Sequence, residues 1–238
     1  MFVSVVGGGF LADAIAQCCD EVGLSLCDTS EADVVWYAKD MPTVNDESDV
    51  DAIIEDMAYV MPLVAFGVPV LISTQVPIGF CRQVEALWPD AHFAIQPENV
   101  RKATPVDDFR WQDRMVCGTR HTEDEELIAQ VLSQFTDRVI FMTPESAEMV
   151  KLAINAYLGM SISFANELAD VCVKAGADPD EVIWGLRSEG RVSQRAPLKP
   201  GGPFTSGSLE RDLTTLENNG GGPLLRAIKA SNNARLHG

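Results

Sequence analysis

Apolar residues are grouped in short runs along the first part of the chain, at residues 3–6, 24–27, 34–37, 68–72, 92–95, 115–117 and 139–142. Between them lie segments with helical spacing. In residues 10–22, Leu11, Ala14, Ile15 and Cys18 fall on one face, and residues 50–64 and 123–135 repeat the pattern. Runs that are apolar throughout, alternating with amphipathic helices, predict a parallel sheet covered on both faces. From Pro144 onward the strand signals cease. Helices are expected at about 145–175, about 179–187, after Ser208 and from about 223 to 236, with a long ordered loop over 187–207 that is rich in Gly, Pro, Ser and Arg. The fold class expected is α/β, a mostly parallel sheet over residues 1–143 followed by an all-helical domain over residues 144–238.

The long helix holds an unusual polar set. Lys151, Asn155 and Asn166 fall near one face at helical spacing, with Leu158 and Ile162 between them. Burying an ammonium is costly unless it meets a carboxylate, a ligand or a reacting oxygen, so Lys151 is a candidate for chemistry. The competing reading is a core helix whose lysine extends to its rim.

After the first strand, Gly7-Gly8-Gly9-Phe10-Leu11-Ala12 fits the G-x-G-x-x-G/A pattern of a dinucleotide turn, placed between strand and helix as that turn requires. Gly7 permits the tight turn, Gly9 close approach of a pyrophosphate, and Ala12 close helix–strand packing. The amides of Phe10 and Leu11 open a helix whose positive end suits phosphate. Asp28, about 20 residues on, can accept from both ribose hydroxyls and would repel a 2′-phosphate, so the cofactor expected is NAD rather than NADP. The first domain thus reads as Rossmann-like. A structural turn remains the alternative for an isolated glycine cluster.

The 238 residues, 46% hydrophobic and 22% charged, can bury a substantial core. A formal charge of −17 disfavours nucleic acid and anionic membrane surfaces as partners. Six cysteines form no CxxC pair and no Cys–His set at ligand spacing, so neither a zinc site nor a disulfide framework is expected. The first residues carry no basic signal-peptide start, and no apolar run reaches membrane-spanning length, so a cytoplasmic location is expected. His92, His121 and His237 are scattered and have no obvious partner.

Four further segments carry a resemblance. Residues 72–80, ISTQVPIGF, resemble an S-T-x-P-x-G turn; residues 96–118, QPENVRKATPVDDFRWQDRMVCG, resemble a P-E-x-x-R…D-F…D-R-x-x-x-G segment. Residues 146–172, SAEMVKLAINAYLGMSISFANELADVC, are similar to a central helix, and PGGPFTSGSLERD at 200–212 aligns with P-G-x-G-F-G-G-S-C-x-P-K-D. All four occur in this order in the UDP-glucose/GDP-mannose dehydrogenases. The resemblance implies that Lys151 stabilises an alkoxide or oxyanion, that Asn155 is an oxyanion or water partner, and that Asp212 positions a catalytic water. It implies that Thr74 and Glu98 line the nicotinamide and that water, that Glu98, Asn99, Val100 and Phe204 join Lys151 and Asn155 around the substrate, and that Arg191 reaches the substrate of a neighbouring subunit. Its nucleophilic cysteine falls on Ser208. Pro203, Thr205, Ser206 and Gly207 also depart from the pattern, and the family's third, nucleotide-sugar-gripping domain would begin where this sequence ends.

A serine hydroxyl has a far higher pKa than a thiol, so covalent trapping of an aldehyde is not expected at Ser208. The function expected is an NAD-dependent two-electron interconversion of alcohol and carbonyl on a sugar-like or nucleotide-like substrate. The alternatives are a four-electron oxidation without a covalent adduct, and a non-catalytic nucleotide-binding dimer. A homodimer formed through the central helix is expected, since Leu152, Ile154, Tyr157, Met160, Ile162 and Phe164 make that helix apolar around much of its circumference.

Overall fold

The computed structural model describes residues 1–44, 47–98, 100–101, 103–205 and 207–236. It divides into two compact units, Met1–Lys151 and Leu152–Gly238, and the division falls inside the longest helix.

In the first unit the strands are β1 (Phe2–Gly8), β2 (Ser25–Leu26), β3 (Val34–Lys39), β4 (Thr43–Val44), β5 (Glu47–Ser48), β6 (Pro69–Ile72), β7 (His92–Ile95), β8 (Met115–Thr119) and β9 (Val139–Met142). Seven of them form one sheet in the order β2-β1-β3-β6-β7-β8-β9, and β4 pairs with β5 in a small antiparallel ribbon. Neighbours in the large sheet run parallel, with β7 and β8 the antiparallel pair. Helices α1 (Phe10–Glu21), α2 (Val50–Val60), α3 (Phe80–Leu87), α4 (Pro105–Arg110) and α5 (Glu125–Leu132) follow or connect the strands.

Strand β3 shows why its sequence is apolar at successive positions. Val34, Trp36 and Ala38 pack on one face of the sheet with Leu11, Ile15, Phe109 and Ile128. Val35 and Tyr37 pack on the other with Ile53, Met57, Phe80 and Val84. Alternate side chains of a strand point to opposite faces, so a strand covered on both faces needs apolar residues at every position. Each fully buried large side chain contributes about 1.5–3 kcal/mol. Trp36 also meets Phe109 and Phe135 edge-on, at centroid distances of 5.5 and 6.0 Å, an arrangement that aromatic quadrupoles favour.

Helix α6 runs over Pro144–Ala175, with proline at its first position, where a missing N–H costs nothing. Its start packs tightly in the first unit. A Cβ on Gly118 would meet Ala147 Cβ at 2.6 Å and Pro144 Cα at 2.7 Å, so only glycine permits that approach.

The second unit comprises the rest of α6 with α7 (Pro179–Arg187), α8 (Gly207–Asn218) and α9 (Pro223–Leu236). Ala156, Phe204, Leu213 and Ile228 form one small core; Ala165, Ile183, Ala196 and Leu198 form another. The connecting loop between α7 and α8 is held by two amides. Asn166 accepts from Gly201 N–H (2.8 Å) and donates to Gly202 O (3.2 Å), while Asn232 accepts from Phe204 N–H (2.8 Å) and donates to Phe204 O (3.0 Å). No helix among the described residues is long and apolar enough to cross a membrane.

Candidate functional site

In an open parallel sheet, ligands bind outside the carboxyl ends of the strands. Four adjacent strands of the first unit, β1, β3, β6 and β7, end in Gly7–Gly9, Asp40, Ser73–Thr74 and Gln96–Glu98. Buried hydrogen bonds tie these ends together. Trp36 Nε1 donates to Ser73 Oγ (2.8 Å), Ser73 Oγ donates to Gln96 Oε1 (2.6 Å), and Lys39 N–H donates to Thr74 Oγ1 (3.0 Å).

The glycine turn is built from backbone that other residues rarely adopt: Gly7, Gly8 and Gly9 have φ of 110°, 103° and 99°. A Cβ on Gly7 would lie 2.3 Å from Ala38 O, so the turn can cross the end of β3 only as glycine. Helix α1 then begins at Phe10, with no side chain of its own turn capping it. These features fit a dinucleotide pyrophosphate, which would be held by Gly7, Gly9 and the amides of Phe10 and Leu11.

One residue of the cradle was absent from the sequence reading. Asp40 turns its carboxylate onto the turn, where Oδ2 accepts from Phe10 N–H at 3.3 Å, and a Cβ on Gly9 would meet Asp40 Cγ at 2.6 Å. Asp40 Oδ1 is buried with no hydrogen-bond partner among the described residues. The chain thus places its own anion at the helix end that suits a phosphate. The register of β1 on β3, which pairs Gly7 with Ala38 and Gly8 with Lys39, brings Asp40 to Gly9. Asp28 is exposed and precedes the short turn Thr29–Glu31 just beyond β2.

Lys151 is 7% exposed and lines a small cavity with Thr74, Gln75, Val76, Ile95, Pro97, Glu98 and Glu148. Glu98 is buried and accepts from Val100 N–H and from Gln75 Nε2 (3.3 Å). Burial pushes its carboxyl above the ordinary carboxylate range, opposed chiefly by the positive charge of Lys151. Glu148, three residues before Lys151 on α6, also escaped the sequence reading. Its two oxygens accept from Gly79 N–H (2.6 Å) and Cys81 N–H (2.8 Å), joining α6 to the first turn of α3. Burial raises its pKa, and those two amides oppose the rise. The spacing of Glu148 to Lys151, one helical turn, is the signal that could have found it.

In the second unit Asn155 Nδ2 donates to Asp212 Oδ2 at 2.6 Å, and Asp212 Oδ1 accepts from Arg211 Nε and Nη2, each at 3.2 Å. Asp212 is 3% exposed. Asn155 and Asp212 are therefore partners, whereas Asn166 is committed to the loop backbone at Gly201 and Gly202. Phe204 is a core residue packed with Leu213 and Ile228. Ser208 lies in the first turn of α8. Arg191 is exposed and pairs with Glu189 at 3.0 Å. Asn99, Ser206 and His237 lie outside the described residues.

For His92 and His121 the reading of the histidines as partnerless is overturned. His92 Nδ1 lies 2.8 Å from Asp124 Oδ2 and His121 Nδ1 lies 3.2 Å from Glu123 Oε1. The antiparallel register of β7 and β8 unites groups that are far apart in sequence. The six cysteines are free, and burial drives the thiols of Cys19 and Cys117 up to about 12, which leaves them unreactive.

Comparison with known proteins bears on the whole chain. A model of the central domain of the UDP-glucose/GDP-mannose dehydrogenase family matches residues 145–234. A UDP-glucose 6-dehydrogenase of Pseudomonas aeruginosa is 28% identical over 221 residues, covering 85% of this chain and 49% of that protein. One of Bacillus subtilis is 27% identical over 203 residues, covering 82% of this chain and 40% of that protein. The chain spans half or less of the length of these relatives. Among solved structures, a UDP-D-ManNAc dehydrogenase from Pyrococcus horikoshii superposes with a TM-score of 0.79 at 19% identity, covering 98% of this chain and 68% of that one. A UDP-glucose dehydrogenase from Pyrobaculum islandicum gives 0.78 at 19% identity, with the same coverage. At that identity the likeness is one of fold. The mostly parallel sheet of the first unit and the matched residues 145–234 make the chain similar to the UDP-glucose/GDP-mannose dehydrogenases.

Proposed function

We propose that the chain is an NAD-dependent oxidoreductase that interconverts an alcohol and a carbonyl on a sugar-like or nucleotide-like substrate. The observation that carries this reading is the buried amine of Lys151, which shares a cavity with Thr74 and Glu98 at the carboxyl ends of β6 and β7. A lysine enclosed at the ligand-binding edge of a doubly covered sheet has a chemical role open to it that a lysine at a helix rim lacks.

NAD, when bound, supplies the acceptor for a hydride. The residues of this chain would do the rest. Gly7, Gly9, Phe10 and Leu11 hold the pyrophosphate, and Asp28 accepts from the ribose. Lys151 Nζ, uncharged at that moment, takes the proton of the alcohol as the C–H bond gives up its electron pair, leaving a carbonyl and a protonated amine. Asn155 and Asp212 enter by resemblance, as the groups that orient an oxyanion or a water. Nucleotide sugars such as UDP-glucose are the first substrates to test, because the relatives act on them.

The number of oxidations is decided by product counting. One NADH per substrate consumed is expected, with an aldehyde or ketone as product, and Ser208→Ala is expected to keep at least half of the wild-type rate. Two NADH per substrate would mean oxidation through to an acid, and a covalent adduct trapped on Ser208 would overturn the assignment of that residue. Serine at position 208, where the resemblance places the nucleophilic cysteine, favours a second reading, a non-catalytic nucleotide-binding protein. Saturable NADH binding without NADH formation on any nucleotide sugar would support it.

A homodimer through α6 also belongs to this proposal. Tyr157, Phe164 and Val171 of that helix, spaced at seven residues on one face, are 48%, 50% and 59% exposed, and a second helix would cover such a stripe. Sedimentation at micromolar concentration is expected to give twice the chain mass of 25.9 kDa. A monomer would remove both the dimer and the role of Arg191 towards a neighbouring subunit.

A further inference from the structure

We propose that His92, His121 and Glu123 form a binding site for one divalent transition-metal ion of the zinc type, separate from the nicotinamide site. β7 and β8 pair antiparallel with Ala94 opposite Thr119. Extending that register by two residues sets His92 opposite His121. Their rings stack with centroids 3.8 Å apart and planes 11° from parallel. Thr119 Oγ1 donates to Phe93 O (3.2 Å) and accepts from His121 N–H (3.0 Å), which fixes the backbone that carries His121.

One ligand atom from each of His92, His121 and Glu123 lies within 4.8 Å of the other two. Zinc bonds of about 2.0–2.2 Å to nitrogen and oxygen set ligand atoms a little over 3 Å apart. One imidazole must turn out of the stack, because parallel rings cannot aim both in-plane lone pairs at one ion, and a small closure of the third ligand completes the set. Glu123 can supply it, because its side chain is 63% exposed. Asp124 provides the orienting group that metal-binding imidazoles commonly have. Its side chain is 10% exposed, and its carboxylate lies 2.8 Å from His92 Nδ1. A proton held on Nδ1 by that carboxylate leaves the Nε2 lone pair as the donor, the carboxylate–histidine–metal arrangement.

Two imidazoles and one carboxylate select zinc, nickel or cobalt over magnesium or calcium, which prefer all-oxygen sets. Three protein ligands leave a fourth position to water. The site sits at the amino end of β7, whereas Gln96 and Glu98 follow its carboxyl end, about 10 Å further along a strand of this length. An ion here would clip β7 to β8, the one antiparallel step of the large sheet.

The test is calorimetric titration of the full chain, freed of metal by chelator, with zinc chloride. One ion per chain is expected, with magnesium giving no heat. His121→Asn and Glu123→Gln should each weaken zinc at least about tenfold, and Asp124→Asn, as a positioning change, about 10–100-fold. Glu123→Gln alters an exposed side chain and keeps the fold, so its result stands even if a histidine variant misfolds. Zinc should raise the melting temperature of the wild type and not that of His121→Asn. No zinc uptake by the wild type would overturn the proposal. So would uptake unchanged in the Glu123 and His121 variants, which would place the ion on other carboxylates or thiols.

Discussion

Replacing Lys151 by alanine is expected to lower turnover on the order of 10²–10⁴-fold, the range spanned by loss of a positioned acid–base group, while NADH affinity stays within about twofold of wild type. The two outcomes separate because the amine belongs to the cavity of Thr74, Glu98 and Glu148, whereas the proposed pyrophosphate contacts are at Gly7–Leu11. Lys151→Ala also removes the charge that opposes the raised pKa of Glu98, so Glu98 should become still harder to ionise. Stopped-flow rates with saturating NAD, alongside NADH titration of the same preparations, check both statements. Retained turnover would return Lys151 to the role of a buried structural charge.

Asp40→Asn is expected to tighten NADH binding roughly tenfold. A pyrophosphate lying on the Gly7–Gly9 turn would come within about 5 Å of the Asp40 carboxylate, and like charges at that distance near a surface repel by a few kcal/mol before salt and water screen them. About 1.4 kcal/mol of that repulsion surviving would account for the tenfold. Asparagine keeps the size and an acceptor for Phe10 N–H while removing the charge. Fluorescence titration with NADH at fixed ionic strength reads the change, which should shrink as salt is raised. Equal or weaker binding by the variant would sink this reading and point instead to Oδ1 as an acceptor for a ribose hydroxyl.

Both predictions rest on features that differ in how far sequence could reach them. The strand–turn–helix start was legible because its parts are local: an apolar run, three glycines, then helical spacing, realised as β1, the positive-φ turn and α1. Helix α6 was placed at 145–175 and runs Pro144–Ala175, since a proline start and a long unbroken pattern mark it. Helix α2 was expected to reach Val64 but ends at Val60, followed by the turn Met61–Leu63. Met61 keeps helical backbone, but Pro62 after it lacks the N–H that a continuing helix needs.

What escaped was non-local. Asp40 meets Gly9 only because β1 and β3 are neighbours in register, and His92 meets His121 only because β8 runs against β7. Asn166 shared the helical spacing of Lys151 and Asn155, yet it serves the backbone of Gly201 and Gly202. Spacing on a helix gives a face; it does not say which chain segment will pack there. The pairing of Asn155 with Asp212 was reachable because aligned motifs carried both residues.

The most direct test compares the wild type with Lys151→Ala for NADH formation from NAD across a panel of nucleotide sugars, followed by nicotinamide absorbance. The account predicts that the wild type forms NADH with at least one of them and that the variant forms it at least about 100-fold more slowly while binding NADH within about twofold as tightly. Equal rates from the two proteins, or no NADH from a wild type that binds the cofactor, would contradict it.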